Sequence, residues 1–150
     1  MNVITVEEVI QAPVERVFEV FADIPGAGER ISGITKLEML SEGPVGKGTR
    51  WRETRIMFGR EATEEMWISE FEPLRSYSAE AESHGAKYLS RYDFISENGG
   101  TRVVLKFGSE GQTFFTKLMG KLFFKAMAKS MGKLLKKDMT ELKQICEAAA

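Results

Sequence analysis

The side chains best suited to chemistry alternate along one predicted strand. Trp51, Glu53 and Arg55 are spaced two residues apart, so they share one face of a strand predicted over residues 49–58. On an inward face, an acid beside an arginine can orient the oxygen atoms of a bound molecule or move a proton. On an outward face, the same two residues form an ordinary ion pair. Alternation does not say which face is inward, so both interpretations stay open.

A later predicted strand, residues 87–96, carries a second polar set. Tyr88 and Tyr92 share one of its faces, and Arg91 and Asp93 share the other. Tyr92 therefore joins Glu53 and Arg55 as a candidate proton donor or acceptor. None of these residues forms a recognised catalytic motif, so the chemistry depends on how the fold groups them.

Histidine and cysteine are too scarce for the commonest metal and nucleophile sites. His84, the only histidine, lies in a predicted turn, and Cys146 is the only cysteine. A zinc site of the usual Cys/His type and a Ser/His/Asp triad are therefore not expected. The Gly-rich residues 43–48 precede a strand and lack the phosphate-loop spacing. We expect no metal and no cofactor.

Length and charge set the broad class of protein. The chain has 150 residues, which predicts one domain over residues 1–150. A formal net charge of −1 argues against nucleic acid as a partner. A single cysteine excludes an intrachain disulfide and favours a cytoplasmic location. The first ten residues do not resemble a signal peptide, and no apolar run is long enough to span a membrane.

The last part of the chain predicts one long amphipathic helix over residues 116–147. Good helix formers dominate it and proline is absent. At 100° per residue its apolar face, flanked by Phe124 and Leu135, carries the following residues: Phe123, Met127, Met131, Leu134, Leu142 and Ile145. Asp138 falls on the same arc, where we expect it to pair with a Lys or Arg near the edge. Core packing is the simplest interpretation of the C-terminal half, whereas flexible Met and Phe side chains favour a cavity lining in the N-terminal half.

Lysines at four-residue spacing follow the other side of this helix, from Lys117 to Lys133. A solvated outer face explains them most simply. A weak contact with an anionic membrane surface is the alternative.

The remaining patterns predict a strand, two short helices and six further strands before the long helix. Consecutive strands joined by short turns predict an antiparallel meander, and Asn98-Gly99-Gly100 is a strong hairpin motif. Because strands and helices are segregated along the chain, the fold class is α+β.

Several short motifs follow one another along the chain. They are Ala12-Pro13-Val14-Glu15-Arg16-Val17-Phe18, Asp23, Gly46-Lys47-Gly48-Thr49, Glu70-Phe71-Glu72-Pro73 and Gly100-Thr101-Arg102-Val103. Together they resemble the START-like (SRPBCC) superfamily, in particular its polyketide cyclase/dehydrase-type branch. Their order and spacing cover essentially the whole chain. The resemblance implies a helix-grip fold, in which a seven-stranded antiparallel sheet curls around the C-terminal helix and two short helices follow strand 1.

The same resemblance implies a deep apolar cavity between sheet and helix, with the loop at residues 42–48 as a gate. On that basis we expect these residues to contact a ligand: Trp51, Met57, Trp67, Tyr77, Tyr92, Phe94, Met119, Phe123 and Met127. The expected ligand is a small hydrophobic molecule such as a lipid, a polyketide or another aromatic or isoprenoid-like compound.

Two other functions stay open at this point. One is a cyclase or dehydrase acting on such a ligand, with Glu53, Arg55 or Tyr92 exchanging protons. The other is lipid shuttling or membrane-surface binding through the basic face of the helix. The sequence leaves the oligomeric state open.

Overall fold

The computed structural model describes residues 2–57, 59–83, 86–110 and 114–148. The side chains of residues 2, 83, 86, 110 and 114–127 lie outside this description, as does the turn that contains His84.

Seven strands and three α-helices make up the described part of the chain. Their bounds are β1 (Asn2–Ile10), α1 (Val14–Ala22), α2 (Ala27–Arg30), β2 (Ile34–Met39), β3 (Arg50–Met57), β4 (Arg60–Glu72), β5 (Ser76–Ser83), β6 (Ala86–Glu97), β7 (Gly100–Glu110) and α3 (Phe114–Ala148). A 3-10 turn at Ile24–Gly26 separates α1 from α2. The predicted order of elements is confirmed.

All seven strands form one antiparallel sheet in the order β1-β7-β6-β5-β4-β3-β2. Consecutive strands from β2 to β7 are therefore neighbours, and β1 pairs with β7, the last strand. The predicted hairpin between β6 and β7 forms with φ of 52° at Asn98 and 80° at Gly99. Two successive positive φ angles give the turn the twist that antiparallel strands need.

The main core lies between the sheet, α1 and the C-terminal half of α3. Phe18 and Phe21 of α1 pack edge-on against Phe94, with ring centroids 5.1 and 5.7 Å apart. Pro13 is the N-cap of α1, and its carbonyl oxygen accepts hydrogen bonds from the Arg16 and Val17 amides. As a result, α1 fills one end of the sheet's inner face with aromatic rings.

Polar contacts fix the C-terminal half of α3 against the rest of the fold. The Lys136 ammonium lies 3.0 Å from the Glu8 carboxylate on β1 and also donates to the Glu7 carbonyl oxygen. Near the end of the helix, the Glu147 carboxylate accepts a 2.8 Å hydrogen bond from the Gln11 backbone amide. These bonds set the rotation of α3 and therefore the direction of its remaining side chains.

The buried face of α3 matches the predicted one at Leu135 and Leu142 and differs from it elsewhere. Leu135, Met139, Leu142 and Cys146 are buried, and Met139 and Cys146 are fully so. Of the residues predicted for the apolar face, Met131, Leu134 and Ile145 are only half-buried. The helix therefore turns two adjacent arcs inward. One packs in the core, and the other, which carries Asp138, faces a cavity.

Candidate functional site

A cavity of about 260 Å³ lies between β3–β7 and α3. Its apolar wall includes Met57, Met66, Phe107, Met131 and Leu134. Strand alternation accounts for the lining, because the wall takes every second residue of β3, β4 and β6. Small-molecule sites usually measure about 300–1,000 Å³, so this space suits a compact ligand.

Three ionisable side chains meet in this cavity. Arg55 donates from Nη1 to Asp138 Oδ2 at 3.0 Å, and its Nε lies 3.9 Å from Glu53 Oε2. The side chains of Arg55, Glu53 and Asp138 are only 16, 14 and 13% exposed. Glu53 and Arg55 belong to β3, whereas Asp138 comes from α3, so the cluster forms only when the helix docks on the sheet.

Burial governs the protonation of both acids. The pKa of Glu53 is raised, chiefly because burial disfavours its charged form, and Arg55 opposes that shift. The pKa of Asp138 is raised for the same first reason and is likewise lowered in part by Arg55. One guanidinium thus offsets only part of the cost of burying two carboxylates. Such carboxyl groups can hold or exchange a proton closer to neutral pH than ordinary ones.

Two stacked tyrosines lie beside the cluster, and their hydroxyls differ in their hydrogen bonding. The rings of Tyr77 and Tyr92 are 4.8 Å apart. Tyr77 donates its hydroxyl to the Phe21 carbonyl oxygen at 3.0 Å, inside the core. Tyr92 lines the cavity, and its hydroxyl has no hydrogen-bond partner among the described residues. Burial raises the pKa of Tyr92, so this hydroxyl stays protonated at neutral pH and can donate to a bound molecule.

The predicted site residues fall into distinct groups. All three candidate catalytic residues (Glu53, Arg55 and Tyr92) line the cavity, and so does Met57. Three other residues that we expected to contact a ligand face inward but do not line the cavity. Tyr77 and Phe94 pack in the main core, and Trp51 packs in a second cluster with Ile24, Ile68 and Ala79.

Trp67 lies on the outer face of the sheet, whereas we expected it on the inner face. It pairs across the ladder with Arg50, on the side of the sheet opposite to Trp51. The Arg50 guanidinium lies 4.9 Å from the centre of the Trp67 ring, a cation–π contact on the outer surface. Trp67 therefore does not line the cavity. The remaining predicted contacts, Met119, Phe123 and Met127, have side chains outside the described residues.

The loop at residues 42–48 contributes no residue to the described cavity wall. Val45 packs instead against the second cluster, beside Trp51. The Gly48 amide donates to the Ile68 carbonyl at 2.8 Å, which ties the loop to β4. The implied gating role has no support in this position.

Sequence reasoning missed several residues of the wall. The expected pairing of Asp138 with a Lys or Arg is confirmed by its 3.0 Å contact with Arg55, but Asp138 lines the cavity, whereas we expected it near an edge. Glu64, Tyr88 and Ser90 also line the cavity. Alternation had already grouped Tyr88 with Tyr92, and it adds Ser90 to the same face of β6.

The basic stripe is described only in part. Lys129 and Lys133 are exposed, and the side chains of Lys117, Lys121 and Lys125 lie outside the described residues. Among the described residues, no helix is long and apolar enough to cross a membrane. Membrane-surface contact therefore stays a prediction.

Comparison with known families identifies the class of protein. Residues 1–147 match the family described as polyketide cyclase/dehydrase and lipid transport. The chain belongs to this family, and its curled sheet and C-terminal helix have the START-like, helix-grip architecture.

Solved structures share the fold over almost the entire chain. TTHA0849 from Thermus thermophilus aligns with a TM-score of 0.82 at 24% identity, covering 99% of both chains. A START superfamily protein from Mycobacterium smegmatis aligns with a TM-score of 0.81 at 11% identity, covering 100% of both. The ZhuI aromatase/cyclase from Streptomyces sp. R1128 gives 0.78 at 16% identity, covering 97% of this chain and 93% of the other. A comparison with curated proteins finds no match.

Proposed function

We propose that this protein binds a small hydrophobic molecule in the cavity between the sheet and α3. The body of the ligand lies against Met57, Met66, Met131 and Leu134, and its polar end meets the Glu53–Arg55–Asp138 cluster. Lipids, polyketides and other aromatic or isoprenoid-like molecules fit this division. Affinity then comes from apolar burial, at about 25 cal/mol per Å², and orientation from the polar cluster.

The observation that carries this proposal is the placement of the ionisable cluster. Replacing a buried ion pair with hydrophobic residues is often neutral or stabilising, so stability alone does not require Glu53, Arg55 and Asp138. Both acids have raised pKa values, which means that their charged forms are disfavoured where they are. Hydrogen bonds from a polar ligand group to these side chains would explain their presence in the cavity, whereas core packing does not explain it.

Native mass spectrometry of the protein purified from cells tests binding directly. We expect a co-purifying molecule that is released on denaturation. Ala62→Phe should abolish it, because Ala62 lines the cavity and a phenyl ring there occupies the ligand space. The adjacent Thr63 faces the other side of β4 and is exposed, so Thr63→Phe is the matched control. Equal retention by both variants would count against the cavity as the binding place.

A cyclase or dehydrase activity is the second candidate, favoured by the raised pKa values of Glu53 and Asp138. One carboxylate would remove a proton from the carbon next to a ligand ketone, and Arg55 would stabilise the enolate oxygen. The Tyr92 hydroxyl or the second, protonated carboxyl would then protonate a departing hydroxyl, which leaves as water.

Hydrogen–deuterium exchange at the methyl group of 2-acetylnaphthalene, followed by NMR in deuterated buffer, tests the first step of this reaction. Wild-type protein should accelerate the exchange, and Glu53→Gln and Asp138→Asn together should remove the acceleration. Exchange at the buffer rate in the presence of bound ketone would argue for a binding protein alone.

A further inference from the structure

Two acids lie beside the guanidinium of Arg55. Its Nη1 donates to Asp138 Oδ2 at 3.0 Å, and its Nε lies 3.9 Å from Glu53 Oε2, an ion-pair distance. Glu53 belongs to the same strand as Arg55, and Asp138 belongs to α3. An incoming carboxylate would therefore approach the cation beside two acids that carry the same charge as itself when ionised.

Two acids share one cation among the described residues at this point of the cavity. Glu53 and Asp138 supply two carboxyl groups beside the guanidinium of Arg55. From β6, the wall receives hydroxyl groups, including Tyr92. Arg55 is the only Lys or Arg among the described lining residues. In their ionised form, the two acids therefore offer the cavity hydrogen-bond acceptors.

An acceptor-rich, partly desolvated site discriminates strongly between ligand head groups. A protonated amine gains charge-assisted hydrogen bonds to carboxylates. A ligand carboxylate meets like charge in a medium that screens it less well than water. A neutral hydroxyl can donate to an acid and lies between these extremes.

We propose that the cavity selects hydrophobic molecules whose polar end is a hydrogen-bond donor, above all a protonated amine, and rejects molecules that end in a carboxylate, such as free fatty acids. This inference rests on the proposed binding function and adds the chemical class of the ligand. It assigns Glu53 and Asp138 to recognition of the ligand's head group, and it gives Arg55 the role of holding both acids in place.

Three naphthalene compounds with the same two-carbon spacing test the proposal: 2-(2-naphthyl)ethylamine, 2-(2-naphthyl)ethanol and 2-naphthylacetate. Isothermal titration calorimetry at pH 7 measures the Kd of each compound. Wild-type protein should bind the amine at least tenfold more tightly than the carboxylate, with the alcohol between them. The alcohol also reports on the cavity itself, because it carries no charge.

Asp138→Asn removes one acid while keeping its shape, and it frees Arg55 Nη1 from a charged partner. We expect the amine-to-carboxylate preference to fall at least fivefold in this variant. Glu53→Gln is the second test, in case the first variant folds poorly by circular dichroism. Glu70→Gln is the control, because Glu70 is an exposed acid that pairs with Arg91 at 3.4 Å outside the cavity. The control should keep the wild-type preference.

Equal or tighter binding of the carboxylate by wild-type protein overturns the inference, and so does an unchanged preference in both cavity variants. If the alcohol binds while the preference is absent, only the inference about head groups fails. If none of the three compounds binds, the proposed binding function fails and this inference fails with it.

Discussion

Arg55 and Asp138 are 83 residues apart in sequence, and their side chains form a 3.0 Å ion pair between β3 and α3. The pair links the sheet to the helix at the cavity wall, where both side chains are largely shielded from solvent. It therefore has two consequences. It holds the helix against the sheet, and it places a carboxylate where a ligand would lie.

Removing the arginine should destabilise the protein in a pH-dependent way. Arg55→Met leaves Glu53 and Asp138 near one another without a cation, so their already raised pKa values should rise further. We expect a loss of about 2–3 kcal/mol at pH 8, below the 3–5 kcal/mol typical of a fully buried pair. A raised pKa contributes stability that is present at low pH and lost as pH rises. The loss should therefore shrink towards pH 4.5.

Urea unfolding at the two pH values checks this prediction. Arg91→Met serves as the control, because Arg91 pairs with Glu70 and Asp93 on the outer face and is itself 43% exposed. An exposed pair contributes about 0–1 kcal/mol, so the control should change little. A loss from Arg55→Met that is small, or equal at both pH values, would mean that the cluster is not electrostatically strained.

Neutralising Glu53 should stabilise the protein without ligand above neutral pH. Its raised pKa means that the folded state disfavours its charged form, and this cost appears as pH rises through the folded pKa. Glu53→Gln removes the cost, so we expect a gain in the free energy of unfolding at pH 8.

Thermal unfolding followed by circular dichroism from pH 4 to 8 measures the effect. The difference between Glu53→Gln and wild type should disappear near pH 4, where wild-type Glu53 is itself neutral. Glu65→Gln, at an exposed acid paired with Arg50, should show no such rise. If both variants gain stability equally as the pH rises, the effect at Glu53 is not caused by its burial.

The two stacked tyrosines should separate stability from binding. Tyr77→Phe leaves the buried Phe21 carbonyl without its 3.0 Å hydrogen bond and should cost about 1–3 kcal/mol. Tyr92→Phe keeps the ring and removes a hydroxyl that has no hydrogen-bond partner among the described residues, so it should cost less than Tyr77→Phe. It should nevertheless weaken binding of 2-(2-naphthyl)ethanol. If urea unfolding shows a larger loss of stability for Tyr92→Phe than for Tyr77→Phe, the roles assigned to the two hydroxyls are wrong.

Truncating a side chain on the core-facing arc of α3 should cost more stability than truncating one on the cavity-facing arc. Met139 is fully buried in the core, so Met139→Ala should cost about 2–5 kcal/mol. Leu134 lines the cavity and is half-buried, so Leu134→Ala should cost about 1 kcal/mol, because the open space already present limits the loss of packing. Leu134→Ala should instead alter ligand affinity. Similar losses of unfolding free energy would indicate that the cavity is packed like the core.

Local patterns were sufficient to predict most of the fold. The first strand and the short helix predicted after it both form, and Asn98-Gly99 forms the expected hairpin. These features depend on neighbours in sequence, such as the preference of a turn for positive φ. Alternation also grouped Trp51, Glu53 and Arg55 on one face correctly.

The candidate site depends on contacts that sequence patterns do not encode. Trp67 is large and aromatic, yet it faces outward, because the register of β4 against β3 decides its face. Tyr77 and Phe94 face inward but lie beneath Phe18 and Phe21 of α1, which fill that end of the sheet. The position of Asp138 depends on the rotation of α3, and contacts between distant residues such as Lys136 and Glu8 set that rotation.

The central claim is that a hydrophobic molecule occupies the cavity between the sheet and α3. Isothermal titration of 2-(2-naphthyl)ethanol into wild type, Ala62→Phe and Thr63→Phe tests it most directly. These two variants add the same ring at neighbouring positions on opposite faces of β4, so only the first fills the cavity. We predict at least tenfold weaker binding by Ala62→Phe and wild-type affinity in Thr63→Phe. Equal affinity in all three proteins, or no binding by wild type, would contradict the claim.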